Sequence, residues 1–262
     1  MEGVQRKKRL CFFGYLGGKQ YLLKHLLKLI PLHRVYCEPF GGAASLLLNK
    51  PFSEVEVYND KCGDLVNLFL AVRDSPEEFL EKFKFLVYSR KLHDEWRKEL
   101  KSNEASIDPV EQAARFLYIL LTSYAGDFNG GWQISRTKPR KFVIEEETLK
   151  KIHERLKNVY IECDDFTRVI PRWDGVDTFF YLDPPYIGTE NNFYDLTEQE
   201  HCNLAELLRS VKGKWLLTYN DHLLIYKLYK GFKISKVSVA AVASKVKNGK
   251  RGRIRHLIIR NY

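Results

Sequence analysis

The run Thr178-Phe179-Phe180-Tyr181-Leu182 constrains this chain more than any other stretch. It is short, aromatic and free of polar interruptions, the pattern of a strand buried in a sheet. Asp183, Pro184, Pro185 and Tyr186 follow at once. Neither proline offers an N–H to a ladder, so the chain leaves the sheet at Asp183 and stiffens as it goes. An acid and an aromatic ring are thereby held at the end of a strand, and in open α/β sheets that edge is where ligands bind. The competing reading is an Asp-Pro turn with a solvated tyrosine, and the rest of the chain decides between them.

Strand and helix signals alternate on both sides of this run. Tyr21 to Ile30 interleaves leucines with lysines, an amphipathic helix ending at Pro31. Arg34 to Cys37 reads as a short strand running into Glu38-Pro39-Phe40-Gly41-Gly42. Ala43 to Leu48 reads as a helix, and Glu54 to Tyr58 as a second strand closed by Asn59-Asp60. This is a βαβ unit. From Asp64 to Tyr124 the period is helical almost throughout, with Pro76 and Pro109 near helix starts. A polar, glycine-containing stretch then runs to Lys141. After Phe142 the alternation resumes. Strands are expected near Val159–Glu162, Thr178–Leu182, Lys214–Tyr219, Phe232–Val239 and Ile254–Ile259. Helices are expected near Glu145–Leu156, Glu198–Val211 and Leu223–Lys230. The simplest architecture is one α/β sheet domain, residues 1–63 and 142–262, interrupted by a mostly helical insertion, residues 64–141. A chain of 262 residues is long enough for this.

Charge narrows the partners. Forty-three Lys and Arg against 33 Asp and Glu leave a net +10, which favours a polyanion: nucleic acid first, an anionic membrane surface second. No segment is long and apolar enough to span a bilayer, and no membrane partner is expected. Cys11, Cys37, Cys62, Cys163 and Cys202 are odd in number, scattered and without a C-x-x-C pair. Neither a disulfide framework nor a zinc knuckle fits, and reduced, mostly buried thiols are expected. The stretch after Arg6-Lys7-Lys8-Arg9 imitates a signal peptide but stops at Gly17-Gly18-Lys19 without a small-residue cleavage site. A cytoplasmic or nucleoid-associated protein is the expectation.

Glu38 to Ala44 follows a strand and opens a helical pattern. Its glycines let the backbone approach a ligand, and free N–H groups there can receive polar atoms. The spacing is not G-x-G-x-x-G, and Gly14 to Gln20 lacks the spacing and the Ser/Thr of a P-loop. Asp60, about twenty residues beyond the glycine turn, stands where an acid accepts ribose hydroxyls in nucleoside-binding folds; a helix cap is its other reading. Asp165-Phe166 follows the strand ending near Cys163 and could pair a carboxylate with an adenine amine and lay a ring on its face, or be a loop acid beside a core aromatic. One ligand would use all these features, a nucleoside with little or no phosphate, and S-adenosyl-L-methionine fits.

The motifs FGYLGGK (Phe13–Lys19), EPFGGAAS (Glu38–Ser45), VYND (Val57–Asp60), DDF (Asp164–Phe166) and DPPY (Asp183–Tyr186) occur in this order. FYDLTEQEHCNLAELL, WLLTYND and LYKGFKI follow them. With these the chain resembles the Dam-type (D12 class) DNA adenine-N6 methyltransferases, over nearly its whole length except the middle insertion. The resemblance implies a Rossmann-like S-adenosylmethionine-dependent methyltransferase sheet, mixed and seven-stranded, with a helical target-recognition insertion. It implies methyl transfer to the N6 amine of a flipped-out adenine in double-stranded DNA at a short specific site, leaving S-adenosyl-L-homocysteine and requiring no metal. Tyr15, Lys19, Asp60 and Asp183 would touch the cofactor, with Glu38, Phe40, Gly41, Asp165 and Phe166 as further candidates. A monomer in solution is the default for such an enzyme.

The tetrapeptide then has a chemical purpose. The exocyclic amine of adenine is a poor nucleophile because its lone pair is delocalised into the ring. Asp183 would accept one of its hydrogens and the Pro184 carbonyl the other, while Pro184 and Pro185 fix the geometry in advance. Tyr186 would stack on a base rotated out of the duplex. His201 reads as a structural residue of a leucine-rich helix, and His93 and His256 as surface or packing residues.

For DNA contact the candidates form two groups. Phe128, Asn129, Trp132 and Gln133, followed by Arg136, Lys138, Arg140 and Lys141, stand where the family carries its recognition hairpin. Aromatics can wedge between bases, amides can pair with adenine, and arginine with guanine. GGWQISR departs from the family's pattern there, so specificity for the GATC site does not carry over. The second group, Lys245, Lys247, Lys250, Arg251, Arg253 and Arg255, surrounds Asn248-Gly249, a hairpin signal. No acid occurs from Val237 to Arg260, which favours phosphate contact over mere protection of a sheet edge. The same chemistry on RNA, an N4-cytosine enzyme and a non-catalytic DNA-binding protein are the rival readings.

Overall fold

A computed structural model describes residues 9–14, 18–102, 108–137, 144–189, 193–240 and 253–262. Among these, seven strands form one sheet: β1 (Val35–Glu38), β2 (Val55–Asn59), β3 (Val159–Glu162), β4 (Thr178–Leu182), β5 (Lys214–Asn220), β6 (Lys233–Ala240) and β7 (Arg253–Arg260). Their order is β3-β2-β1-β4-β5-β7-β6. Strands β1 to β5 pair in parallel, and β7 runs antiparallel between β5 and β6. The strand order reverses between β1 and β4, and in open α/β sheets a crevice opens at the carboxyl ends of the strands there.

The apolar run that ends in Asp183 is β4, and every residue of it is buried. Phe179 and Tyr181 enter the core on one face, Phe180 and Leu182 the core on the other. Successive strand side chains point to opposite faces, so a strand covered on both sides has no place for a polar residue. Each large side chain buried in this way contributes roughly 1.5–3 kcal/mol.

The first face is covered by α1 (Leu23–Leu26), α2 (Gly63–Asp74), α3 (Pro76–Lys84), α5 (Pro109–Thr122) and α6 (Glu146–Leu156). The second is covered by α7 (Phe166–Trp173), α8 (Glu198–Ser210) and α9 (Leu223–Leu228). Local chemistry starts several of these helices. Asp108 accepts from Glu111 N ahead of Pro109, and Thr197 and Glu200 form a capping box at α8. The helix α4 (Arg90–Ser102) packs on α5. The helical middle of the chain therefore shares its core with the sheet, and a boundary at residue 64 falls inside α2.

The structure corrects several expectations. Ala43 to Leu48 forms successive turns and no α-helix. Gly42 (φ 50°) and Ala44 (φ 51°) adopt left-handed backbone, which interrupts a right-handed helix. The helix expected from Tyr21 to Ile30 shrinks to α1 and a 3-10 turn, Leu27–Leu29. The helix α7, with Pro171 inside its eight residues, is not among the expected helices. The thiols are free, but only Cys37 is buried and Cys163 is exposed. Among the described residues no helix is long and apolar enough to cross a membrane.

Candidate active site

A cavity of about 360 Å³ opens at the carboxyl ends of β1, β2 and β4, within the size range of small-ligand pockets. Its lining includes Lys19, Glu38, Gly41, Asp60, Asp183 and Tyr186. Phe40, Pro184 and Pro185 also face it. Residues far apart in sequence meet because parallel strands end together on one edge.

The chain from β1 closes the floor. Glu38 is 1% exposed; its Oε1 accepts from the Tyr36 hydroxyl and, at 2.8 Å, from Leu47 N. Burial pushes its carboxyl up to about 7. Asn59 then ties the glycine turn to β2, its Nδ2 donating to Pro39 O at 2.8 Å and its backbone O accepting from Gly41 N at 2.7 Å. A Cβ on Gly41 would lie 2.2 Å from the Tyr58 ring, so this position needs glycine for close approach.

Asp60 ends the next strand. Its Oδ2 accepts from Gly42 N and its Oδ1 from Cys62 N, each at 2.9 Å. It therefore joins the glycine turn to the loop before α2 and does not cap that helix. Burial raises its carboxyl to about 6. The cavity thus presents two carboxyls that hold protons more tightly than usual.

Asp183 follows the end of β4 and lines the same cavity. Its Oδ2 pairs with Lys19 Nζ at 2.7 Å. Its Oδ1 accepts from Thr218 Oγ1 at 2.7 Å and from the Tyr186 hydroxyl at 3.2 Å. An ionised carboxylate has about four acceptor positions, so room remains for a further donor. The Tyr186 ring stacks on Tyr219, centroids 5.5 Å apart, and Lys19 Nζ lies 4.7 Å from its centre. The acid and the aromatic ring are thus held together by groups from β5 and from the N-terminal loop. This excludes the plain solvated turn.

Other sequence candidates lie elsewhere. Asp165 caps α7, accepting from Thr167 N at 3.0 Å, and contacts Lys61 at 3.3 Å. Phe166 is buried with its ring 5.4 Å from that of Phe40. Both stand beside the cavity, outside its lining. Tyr15 lies outside the described residues. The sequence reading missed Tyr21, Thr218, Tyr194, Asn220 and His256. All but Thr218 line the cavity, and Thr218 reaches Asp183 from behind. His256 corrects the expectation of a surface or packing residue, whereas His201 bonds the Tyr219 hydroxyl inside the core and His93 bonds Thr122.

The proposed recognition hairpin begins where α5 ends. Ser123 bridges Trp132 antiparallel, and Gln133 N donates to Thr122 O at 2.8 Å. Phe128 is 9% exposed, its ring 5.4 Å from that of Phe116. It is a core residue, which corrects its assignment as a DNA-facing wedge. Trp132 is half-buried on the Tyr88 ring at 4.2 Å, and Tyr88 donates to Gln133 O. Asn129 and Arg136 are exposed. Asn129 borders an open groove with Arg97, Lys98 and Lys101. Arg253 is exposed on β7 and tied to Ser238 O at 2.7 Å. Lys138, Arg140, Lys141, Lys245, Lys247, Lys250 and Arg251, with the Asn248-Gly249 turn, lie outside the described residues.

The family model for D12 class N6 adenine-specific DNA methyltransferases matches residues 15–241. The chain is 27% identical over 238 residues to a DNA adenine methylase of Salmonella typhi, covering 85% of each protein. It is 27% identical over 278 residues to the Type II methyltransferase M1.LlaDCHI of Lactococcus lactis subsp. cremoris, covering 96% of this chain and 95% of the relative. The Type II methyltransferase M.MjaIII of Methanocaldococcus jannaschii is 27% identical over 246 residues, covering 80% and 84%.

Proposed function

We propose, for a chain that belongs to the D12 class N6 adenine-specific DNA methyltransferases, that this DNA adenine methyltransferase draws its methyl group from S-adenosylmethionine and acts on an adenine turned out of duplex DNA at a short specific site. The observation that carries the reading is the Asp183 carboxylate, held by Lys19, Thr218 and Tyr186 in a cavity that Glu38 and Asp60 also line.

The cavity suits that cofactor. Two buried carboxyls and a glycine turn without a phosphate-binding loop match a nucleoside that carries positive charge and no phosphate. Asp60 would accept the ribose hydroxyls. Glu38 would face the cationic amino-acid end. Asp165 and Phe166, at the end of β3, would reach the adenine ring from the rim. S-adenosylmethionine supplies an electrophilic methyl group on a sulfonium.

The chain's own residues do the rest. Asp183 accepts one hydrogen of the target amine and the Pro184 carbonyl the other, which favours a pyramidal nitrogen whose lone pair is withdrawn from conjugation with the ring and aimed at the methyl group. Pro184 and Pro185 limit the conformations of that backbone before the base arrives, so little reorganisation remains at the moment of reaction. Tyr186 offers its ring to the extruded base. No proton need leave before attack; the methylated amine loses it afterwards. Residues 64–141, with Asn129, Trp132, Gln133, Arg136 and Lys138, and the basic segment with Lys247, Lys250, Arg251 and Arg253, would meet the DNA. The Type II names of two relatives extend the reading to the modification partner of a restriction enzyme.

Labelled S-adenosylmethionine and unmethylated genomic DNA test this directly, with Asp183→Ala in parallel. The expected result is label on adenine N6 at one short motif, and a loss of about a thousandfold or more in the variant with its thermal transition retained. Label on cytosine or on RNA only, or none with cofactor binding intact, would overturn the substrate assignment.

A further inference from the structure

We infer that His256 is a positioning residue of this site, holding the Tyr186 hydroxyl against Asp183 through a directed chain of hydrogen bonds that begins at Tyr21. The inference rests on the reading above, that Asp183 and Tyr186 receive the target adenine.

The geometry is a line of four groups. The Tyr186 hydroxyl lies 3.2 Å from Asp183 Oδ1 and 3.3 Å from His256 Nδ1. On the far side of the same imidazole, Nε2 lies 3.3 Å from the Tyr21 hydroxyl. A tyrosine hydroxyl has one hydrogen, and an ionised carboxylate only accepts. Tyr186 therefore donates to Asp183 and can only accept from the ring, so Nδ1 carries the hydrogen. Nε2 is then a bare acceptor, filled by the Tyr21 hydroxyl. This tautomer satisfies every member; the other would set two lone pairs against each other at Tyr186.

A neutral ring is what the surroundings favour. His256 is 3% exposed, and burial, then the Lys19 ammonium, push its pKa down to about 4 against the opposing pull of Asp183. The sheet fixes the ring from behind. In register, His256 stands opposite Asn220 at the end of β5 and opposite Val237 on β6. The antiparallel direction of β7 is what carries its middle to the carboxyl edge of the parallel strands. Tyr186, by contrast, sits in a turn after two prolines, with Tyr219 on one face. Without His256 its hydroxyl is free to rotate off Asp183, and the ring and the carboxylate lose their common orientation.

The test separates this role from packing. Asparagine at 256 places an amide N–H where Nδ1 stands and so can still address Tyr186. Glutamine places its amide where Nε2 stands and addresses Tyr21 instead. Steady-state methylation is measured for His256→Ala, His256→Asn and His256→Gln, with cofactor and DNA KM values and thermal transitions. The expected result is a kcat about tenfold lower for His256→Ala, the loss of one ordinary hydrogen bond at the reacting centre, with both KM values nearly unchanged. Asparagine restores most of the rate and glutamine does not. Equal rescue by both amides, a wild-type kcat in His256→Ala, or an effect confined to KM would overturn it. If His256→Ala fails to fold, the two amides carry the comparison alone. Absence of adenine methylation by the unaltered protein would instead remove the reading beneath the inference.

Discussion

Two buried glutamates on neighbouring strands have been given opposite surroundings. Glu56, near the start of β2, is 4% exposed and bonded by both ends of the Arg155 guanidinium, by Lys50 Nζ and by Ser53 N. Burial alone would push its carboxyl up; the bonds from Arg155 and Lys50 outweigh this and hold it below the usual range. Glu38, at the end of β1, takes, among the described residues, a hydroxyl and one backbone N–H, and burial leaves it raised to about 7. One acid is saturated and faces packed protein. The other is under-supplied with donors and faces a cavity. A buried carboxylate alone therefore says little. What marks a site is a carboxylate whose missing partners a ligand could provide.

The largest effect that would sharpen this contrast is at Glu56. Glu56→Ala strands two buried cations, and its expected cost is about 3–5 kcal/mol of stability in urea unfolding, with the specific activity of the remaining folded protein intact. Combining Glu56→Leu with Lys50→Met and Arg155→Met should recover most of the loss, because no charge is then left unpaired. An activity defect at unchanged stability in Glu56→Ala would break the contrast.

Glu38→Gln should behave in reverse. Its expected effect is a cofactor Kd raised about tenfold, the order of one charge-assisted hydrogen bond, with a thermal transition equal to or above the unaltered protein's. Isothermal titration and a melting curve on one preparation measure both. Unfolding of this variant would place Glu38 in the same class as Glu56.

The smallest effect is in pH. The folded protein holds a proton on Glu38 up to about pH 7, while the unfolded chain releases it near 4.5. Stability of the ligand-free protein therefore falls as pH rises through that window, and Asp60, raised to about 6, adds in the same direction. Binding of a cationic cofactor runs the other way. Its affinity should rise several-fold between about pH 6 and 8, and Glu38→Gln should flatten the upper part of that rise. Lys50 and Arg155, engaged by Glu56, act on Glu38 only through space. A cofactor affinity independent of pH would count against the role given to Glu38.

What could be read from the sequence follows the range of the interactions. The strands are legible because burial on both faces leaves them continuously apolar, as in β4. Asp183, Asp60 and the glycine turn are legible because each occupies a strand end, where the chain must change course and local residue types show it. His256 is not legible, since a lone histidine in a strand acquires meaning only from the register of β7 on β5. Thr218 is hidden in the same way inside β5. Phe128 misled for a related reason: an aromatic in a polar loop looks exposed until Phe116 on α5 is placed beneath it. The turns at Ala43–Leu48 escaped because alanine and leucine favour a helix, and the left-handed backbone at Ala44 overrode that preference.

The position of β7 between β5 and β6 also bears on how the protein is made. A ribosome finishes β5 about thirty residues before it begins β7, and for roughly two to six seconds at ordinary elongation rates the nascent sheet carries an open β5 edge. That edge is a row of unpaired backbone groups beside Leu216, Leu217 and Tyr219, the kind of surface on which unfinished chains join one another. Lys245, Lys247, Lys250 and Arg251, in the segment between β6 and β7, join the growing chain during this interval. The edge closes only when the antiparallel strand seats, and the same event delivers His256 to the site.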